Sequence, residues 1–297
     1  MAFSLTDRDD GAIPIVALTK SRLAGWLQEA PERERNWLTS IGFAAEAGKS
    51  ALVPGESGRL ARVLVGVGDG ADAGGGMWSL AGLPGVLPEG YYRLDIVPDG
   101  ADPTRLALGW ALATYAFTRY SAKPRTGAVL VWPEDADRGH VERLAGAAFL
   151  ARDLANTPAG DLGPEELASE AVRVAEAAGA RHSVIVGDDL LAENYPTIHA
   201  VGRACTRAPR LVDIVWGEPA APKVTLVGKG VCFDTGGLDL KTASGMRLMK
   251  KDMAGAAIML GLAQAIMDAG LPLRLRVLLP EGWKISGERA ARAIAAC

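Results

Sequence analysis

The chain has 297 residues, 49% of them hydrophobic and 23% charged. That composition belongs to a globular protein with enough material for two domains and excludes a disordered chain. The formal net charge of −3 offers no general attraction to nucleic acid or anionic lipid.

The N-terminus, Met1-Ala2-Phe3-Ser4, lacks the basic segment and apolar core of a signal peptide. Ile13 to Leu18 is a short apolar run, and Asn36 to Phe43 is weakly periodic. Leu60 to Val67 (LARVLVGV) is rich in β-branched residues and predicts a strand. Glycines follow at 66, 68, 70 and 74–76. They do not have GxGxxG spacing and no lysine sits where a phosphate loop needs one, so they read as a turn and surface loop rather than a nucleotide site. Tyr91 to Val97 predicts a strand and Leu106 to Tyr120 a helix. A polar break with Pro124 precedes the strand Gly127 to Trp132, and the turn-rich stretch from Pro133 to Gly139 places a domain boundary near 135/136.

Beyond it, strands and helices alternate. His140 to Asn156 is helical by spacing. Pro164 opens a helix, with Glu165 and Glu166 at its positive end, that stops at Gly179. Ser183 to Val186, Leu211 to Trp216 and Val224 to Val227 predict strands. Ala254 to Ala269 predicts a helix and Leu273 to Leu279 a strand. This alternation predicts an α/β domain with a largely parallel sheet. The longest largely apolar stretch, Gly255 to Met267, is too short to cross a bilayer. The reading at this point is a soluble cytoplasmic protein. Cys205, Cys232 and Cys297 form no CxxC pair and read as reduced thiols. His140, His182 and His199 have no HxxxH or HExxH spacing, so any metal would be held by oxygen and amine groups.

The chemistry concentrates after the strand ending at Val227. Lys229, Asp234, Lys241 and Asp252 recur within a short, glycine-punctuated stretch, GKGVCFDTGGLDLK followed by MKKDM. In open α/β sheets, ligands bind beyond the carboxyl ends of strands. Charged groups there are costly to desolvate without partners, and a divalent ion would satisfy both aspartates at once. The alternatives are plain: Asp252 caps the following helix, and the lysines, with Asp239 and Lys250, are solvated.

These residues resemble the leucyl aminopeptidase (M17) family of cytosolic two-metal aminopeptidases. Arg152 to Pro158, Gly163-Pro164, Ile198 to Arg203 and Pro209-Arg210-Leu211 are also similar to that family. The resemblance implies an N-terminal variable, macro-like α/β domain over 1–135 and a three-layer α/β/α peptidase domain over 136–297. It implies two divalent ions, Mn²⁺ or Zn²⁺. Lys229, Asp234 and Asp252 would be metal ligands, with Asp234 bridging and Asp252 near the substrate α-amine. Lys241 would be the catalytic lysine that polarises the scissile carbonyl. The implied reaction removes the N-terminal residue of a peptide by metal-activated water, assisted by an arginine-bound bicarbonate, in a homohexamer. The family's second ligand motif, Asn-Thr-Asp-Ala-Glu-Gly-Arg, does not occur in this sequence. Only Ile285-Ser286-Gly287 echoes the family near the end. The expectation is therefore an incomplete peptidase domain and an inactive polypeptide, the alternative being a non-catalytic scaffold or binding protein of the same fold. Some members of the family bind DNA, for which the acidic balance here gives no support.

Overall fold

The computed structural model describes residues 3–69, 76–97, 99–121, 127–237 and 239–284. Most of the glycine-rich stretch (70–75), Pro124, Ile285-Ser286-Gly287 and Cys297 lie outside the described residues. The chain divides into two compact units, Met1–Ala145 and Gly146–Cys297.

The first unit runs β1 (Leu5–Thr6), β2 (Ile13–Leu18), α1 (Lys20–Glu29), α2 (Glu32–Ser40), β3 (Ser50–Pro54), β4 (Leu60–Gly66), β5 (Gly90–Ile96), α3 (Pro103–Ala113) and β6 (Ala128–Val131), and reaches into α4 (Arg138–Asn156). Its sheet has the order β1-β6-β5-β2-β4-β3. All pairings are parallel except β3 with β4. Val63, Leu64 and Val65 are all buried although they face alternate sides, as a parallel strand covered on both faces requires.

Helix α3 is shorter than the predicted Leu106–Tyr120. It starts earlier because the Asp102 carboxylate accepts the Thr104 and Arg105 N–H groups at 2.9 and 3.3 Å, with Pro103 in the first turn. It stops at Ala113 because the Thr114 hydroxyl turns back to donate to the Ala111 carbonyl at 2.8 Å. The run that follows, Tyr115 to Tyr120, is rich in aromatic residues of low helix propensity.

The second unit holds α5 (Pro164–Ala177), β7 (Arg181–Val186), α6 (Asp189–Ala192), α7 (Pro196–Gly202), β8 (Arg210–Trp216), β9 (Lys223–Val227), β10 (Gly230–Asp234), α8 (Ala243–Met246), α9 (Ala254–Asp268) and β11 (Arg274–Lys284). β11 organises the sheet. One edge pairs antiparallel with β8, which pairs antiparallel with β7. The other edge pairs in parallel with β9 along Arg274–Leu278 and then with β10 along Glu281–Lys284. β9 and β10 thus act as one strand broken at Gly228-Lys229. Leu167 and Ala171 of α5, Ala256, Leu260 and Ala263 of α9, and Val212, Ile214, Val277 and Leu279 of the sheet form the core.

Gly228 fixes the distance between sheet and helix. A Cβ there would lie 2.6 Å from the Ala256 Cα, so only glycine lets α9 seat its first turn on the strand break. Gly228→Ala is expected to cost about 1–3 kcal/mol by overpacking, read in a denaturant melt. An unchanged midpoint would show that α9 shifts freely.

Glu281 is a charge-bearing residue inside the core face of β11. It is 1% exposed, and neither carboxyl oxygen finds a hydrogen-bond partner among the described residues. Burial pushes its carboxyl well above the usual range, opposed only in part by Arg210, its cross-strand neighbour. The unfolded chain ionises this group in the ordinary carboxylate range while the folded chain holds its proton. Stability is therefore lost as pH rises from that range toward the raised folded value, by up to about 1.4 kcal/mol per pH unit. Glu281→Gln is expected to remove that decline in urea melts taken across pH; an identical pH profile would show that Glu281 does not cause it.

Candidate metal centre

The site forms where β10 leaves the sheet. The sequence predicts a strand only as far as Val227, yet Gly230–Asp234 is also a strand, whose register sets Asp234 opposite Lys284 of β11. The Thr235 N–H and hydroxyl both bond to the Lys284 carbonyl, at 2.9 and 3.2 Å, and pin the strand end.

Past Thr235 the chain reverses through Gly236 and Gly237, with φ of +97° and +86°, a region that glycine enters without strain. The reversal returns the Lys241 N–H to the Thr235 carbonyl at 2.9 Å. It also brings the Lys241 ammonium to the Asp234 Oδ2 at 3.1 Å, while Oδ1 accepts the Gly236 N–H at 2.8 Å. Partial burial by itself would raise the Asp234 carboxyl. The Gly236 N–H, the Lys241 bond and charge, and the charge of Lys284 outweigh it and hold the carboxyl below its ordinary value. Asp234 is thus kept as an anion at the mouth of the sheet.

Asp252 lies in a 3-10 turn, Met249–Met253, that packs against β10. The residue at the head of α9 is Met253, and it makes no side-chain cap bond. The capping role open to Asp252 in sequence is therefore not the one it takes. Its carboxylate is 17% exposed and meets Lys251 at 3.8 Å. Lys250 is spent elsewhere, donating to the Asn156 carbonyl at 2.7 Å. Lys229 presents its main chain to α9: the Ala256 N–H donates to its carbonyl at 2.9 Å. Its exposed ammonium forms no ion pair or hydrogen bond among the described residues.

The structure therefore brings Lys241 directly onto Asp234 and packs the Asp252 turn against the same strand. Lys284 is the participant that sequence reading missed. The signal was the length of β11, read as ending at Leu279 when it continues to Lys284. No group of three or more His, Cys, Asp or Glu side chains gathers among the described residues, so the donor set here is two carboxylates with lysine amines. Anionic Asp234 and uncapped Asp252 are hard oxygen donors of the kind divalent ions take, and in chemistry they fit such an ion.

The family comparison bears on this stretch directly. Residues 149–293 match the model of the cytosol aminopeptidase family catalytic domain, and residues 13–133 match the M17 aminopeptidase N-terminal domain. The chain belongs to the M17 family. A probable cytosol aminopeptidase of Leifsonia xyli is 36% identical over 82% of this chain and 51% of its own length. The crystal structure of the cytosol aminopeptidase from Coxiella burnetii superposes with a TM-score of 0.88 at 41% identity, over 97% of this chain and 62% of that one. The bottromycin maturation enzyme BotP, solved in complex with Mn, follows at 30% identity and a TM-score of 0.79, over 94% of this chain and 61% of its own. The present M17 chain spans about half the length of the Leifsonia relative. The Lys229–Asp252 stretch falls wholly inside the matched catalytic segment.

Proposed function

We propose that this chain carries the lysine and aspartate half of a two-metal aminopeptidase centre, which releases N-terminal residues from peptides in the cytosol. The observation that carries the reading is the Asp234–Lys241 pair, built by the Gly236-Gly237 reversal inside the M17 catalytic match. Lys229, as a neutral amine, and the carboxylates Asp234 and Asp252 would hold divalent ions. Bound there, such ions would supply an activated water and an electrophile for the peptide carbonyl.

The chain's own residues have separable tasks. Asp234, already deprotonated, presents a carboxylate that two ions can share. Asp252 can accept a hydrogen bond from the substrate's α-ammonium. Lys241 is 39% exposed, so its ammonium can leave Asp234 for a carbonyl oxygen on which charge develops. The turn at Gly236-Gly237 holds it within reach, so little freedom is lost in that exchange. With no Asn-Thr-Asp-Ala-Glu-Gly-Arg segment among these 297 residues, the carboxylates of such a segment would have to come from elsewhere. A non-catalytic scaffold has no observation in its favour.

The test is a Mn²⁺ titration of the purified chain beside a leucine-amide assay. Mn²⁺ binding without hydrolysis is the expected result. No binding would overturn the metal reading, and hydrolysis abolished by a chelator would overturn the half-site reading.

A further inference from the structure

The candidate metal centre lies at the Lys284 end of β11. At the opposite end of the same sheet, the start of β7, the end of β8 and the approach to β11 border a cavity of about 570 Å³. That size is ordinary for a small-molecule site. All of its lining residues belong to the second unit.

Glycine turns build it. α5 ends at Ala177 and turns off through Gly179, with φ of +65°; α9 ends at Asp268 and turns off through Gly270, with φ of +60°. β8 leaves the sheet through Gly217, where a Cβ would strike the Leu273 carbonyl. These turns bring two helix C-termini and one strand end to the same place. Trp216 is half-buried there, and Val215, Leu271 and Leu273 extend the apolar wall.

Two opposite charges line the same cavity, Arg181 and Glu218. Both are exposed, and among the described residues neither side chain forms an ion pair or hydrogen bond, with the other or with any further group. The last turns of α5 and α9 hold no basic residue and carry Glu176 and Asp268. The negative ends of both helix dipoles are therefore uncompensated. An ammonium is favoured around the helix ends and Glu218, and a carboxylate beside Arg181. A free cation and a free anion on one apolar cavity fit a ligand that carries both charges itself.

We propose that this cavity binds a small zwitterion with an apolar body, a free amino acid or a dipeptide. Its carboxylate pairs with Arg181, its ammonium meets Glu218 and the carboxyl end of α9, and its side chain packs on Trp216, Leu271 and Leu273. An N-terminal peptidase consumes and releases such molecules, but the proposal rests on the cavity's own groups and not on the half-site reading.

The experiment titrates the 297-residue chain with L-leucine, leucyl-leucine, leucine amide and N-acetyl-leucine. Binding is followed by NMR at the Trp216 indole N–H, which Trp216→Phe assigns. A chelator is present throughout, so no divalent ion takes part and the metal reading stands or falls separately. Saturable binding of leucine or leucyl-leucine is expected with a Kd of about 1 mM or tighter, and the tighter of the two gives the ligand's length. Leucine amide lacks the carboxylate and N-acetyl-leucine lacks the ammonium. Each is expected to bind about 10-fold more weakly than leucine, the effect of losing one charge-assisted bond. Arg181→Gln is expected to weaken leucine about 10-fold and to leave leucine amide unchanged. Glu218→Gln is expected to weaken leucine similarly and to leave N-acetyl-leucine unchanged. Both residues are exposed, so the far-ultraviolet circular dichroism of each variant is expected to match the parent. No saturation below about 10 mM would overturn the proposal, as would equal binding of either blocked ligand, or leucine binding that either variant leaves unaltered.

Discussion

Asp234→Asn is expected to lower Mn²⁺ affinity at least about 100-fold. Removing a residue that only supports a ligand commonly costs 10–100-fold, and Asp234 would be a ligand itself. The substitution is nearly isosteric, and the asparagine oxygen can still accept the Gly236 N–H, so the turn that delivers Lys241 survives. What disappears is the negative charge that Lys241 and Lys284 now balance. The ammoniums of Lys241 and Lys284 would then face a dication with one carboxylate fewer to offset them, and repulsion adds to the lost bond. Isothermal titration of parent and variant measures the difference. Asp239→Asn is the control: Asp239 is exposed on the same loop, and its replacement is expected to leave affinity unchanged. Equal affinity in the Asp234 variant would mean that any bound ion sits elsewhere.

How far the sequence foretold this molecule depended on which physical signal each element carried. β4, β8 and α5 were legible because their patterning and end signals agree: Leu60 to Val67 is β-branched, and α5 has Pro164 with two glutamates at its start. β10 was not legible. Gly230-Val231-Cys232-Phe233-Asp234 is flanked by glycine, and its strand character comes from pairing with the end of β11, a contact remote in sequence. The same blindness shortened β11 and hid Lys284. α3 was misjudged at both ends for local reasons, the Asp102-Pro103 start and the Thr114 hydroxyl.

Within the site, composition and spacing singled out Lys229, Asp234, Lys241 and Asp252 but could not distinguish cap from ligand for Asp252. The structure removes the cap by starting α9 at Ala254, with Met253 rather than Asp252 in the cap position. Nor could spacing reveal that Lys241 lies on Asp234, because that contact is produced by two consecutive positive-φ glycines.

Leu260→Ala is expected to destabilise the second unit by about 2–5 kcal/mol, and saturating Mn²⁺ is expected to restore much of the loss. Leu260 is fully buried, on α9, which packs against β9 and β11, so truncation removes transfer free energy and leaves a cavity. The helix it anchors is the one whose first turn holds the Lys229 carbonyl and follows Asp252 directly. An ion bound through Lys229, Asp234 and Asp252 would tie β9, β10 and the entry to α9 together, and would bind only when they are assembled. Linkage then sets the size of the rescue: at a free concentration about 100 times Kd, binding to the folded state alone adds about 2.7 kcal/mol. Urea melts of Leu260→Ala with and without Mn²⁺ measure it directly. Placing Asp234→Asn in the same background is expected to abolish the rescue while leaving the ion-free midpoint nearly unchanged, since Asp234 sits at the partly exposed end of β10 and Leu260 in the buried core. A rescue that survives in the double variant would place the ion away from the β10 end, and the aminopeptidase reading of this chain would lose its physical basis.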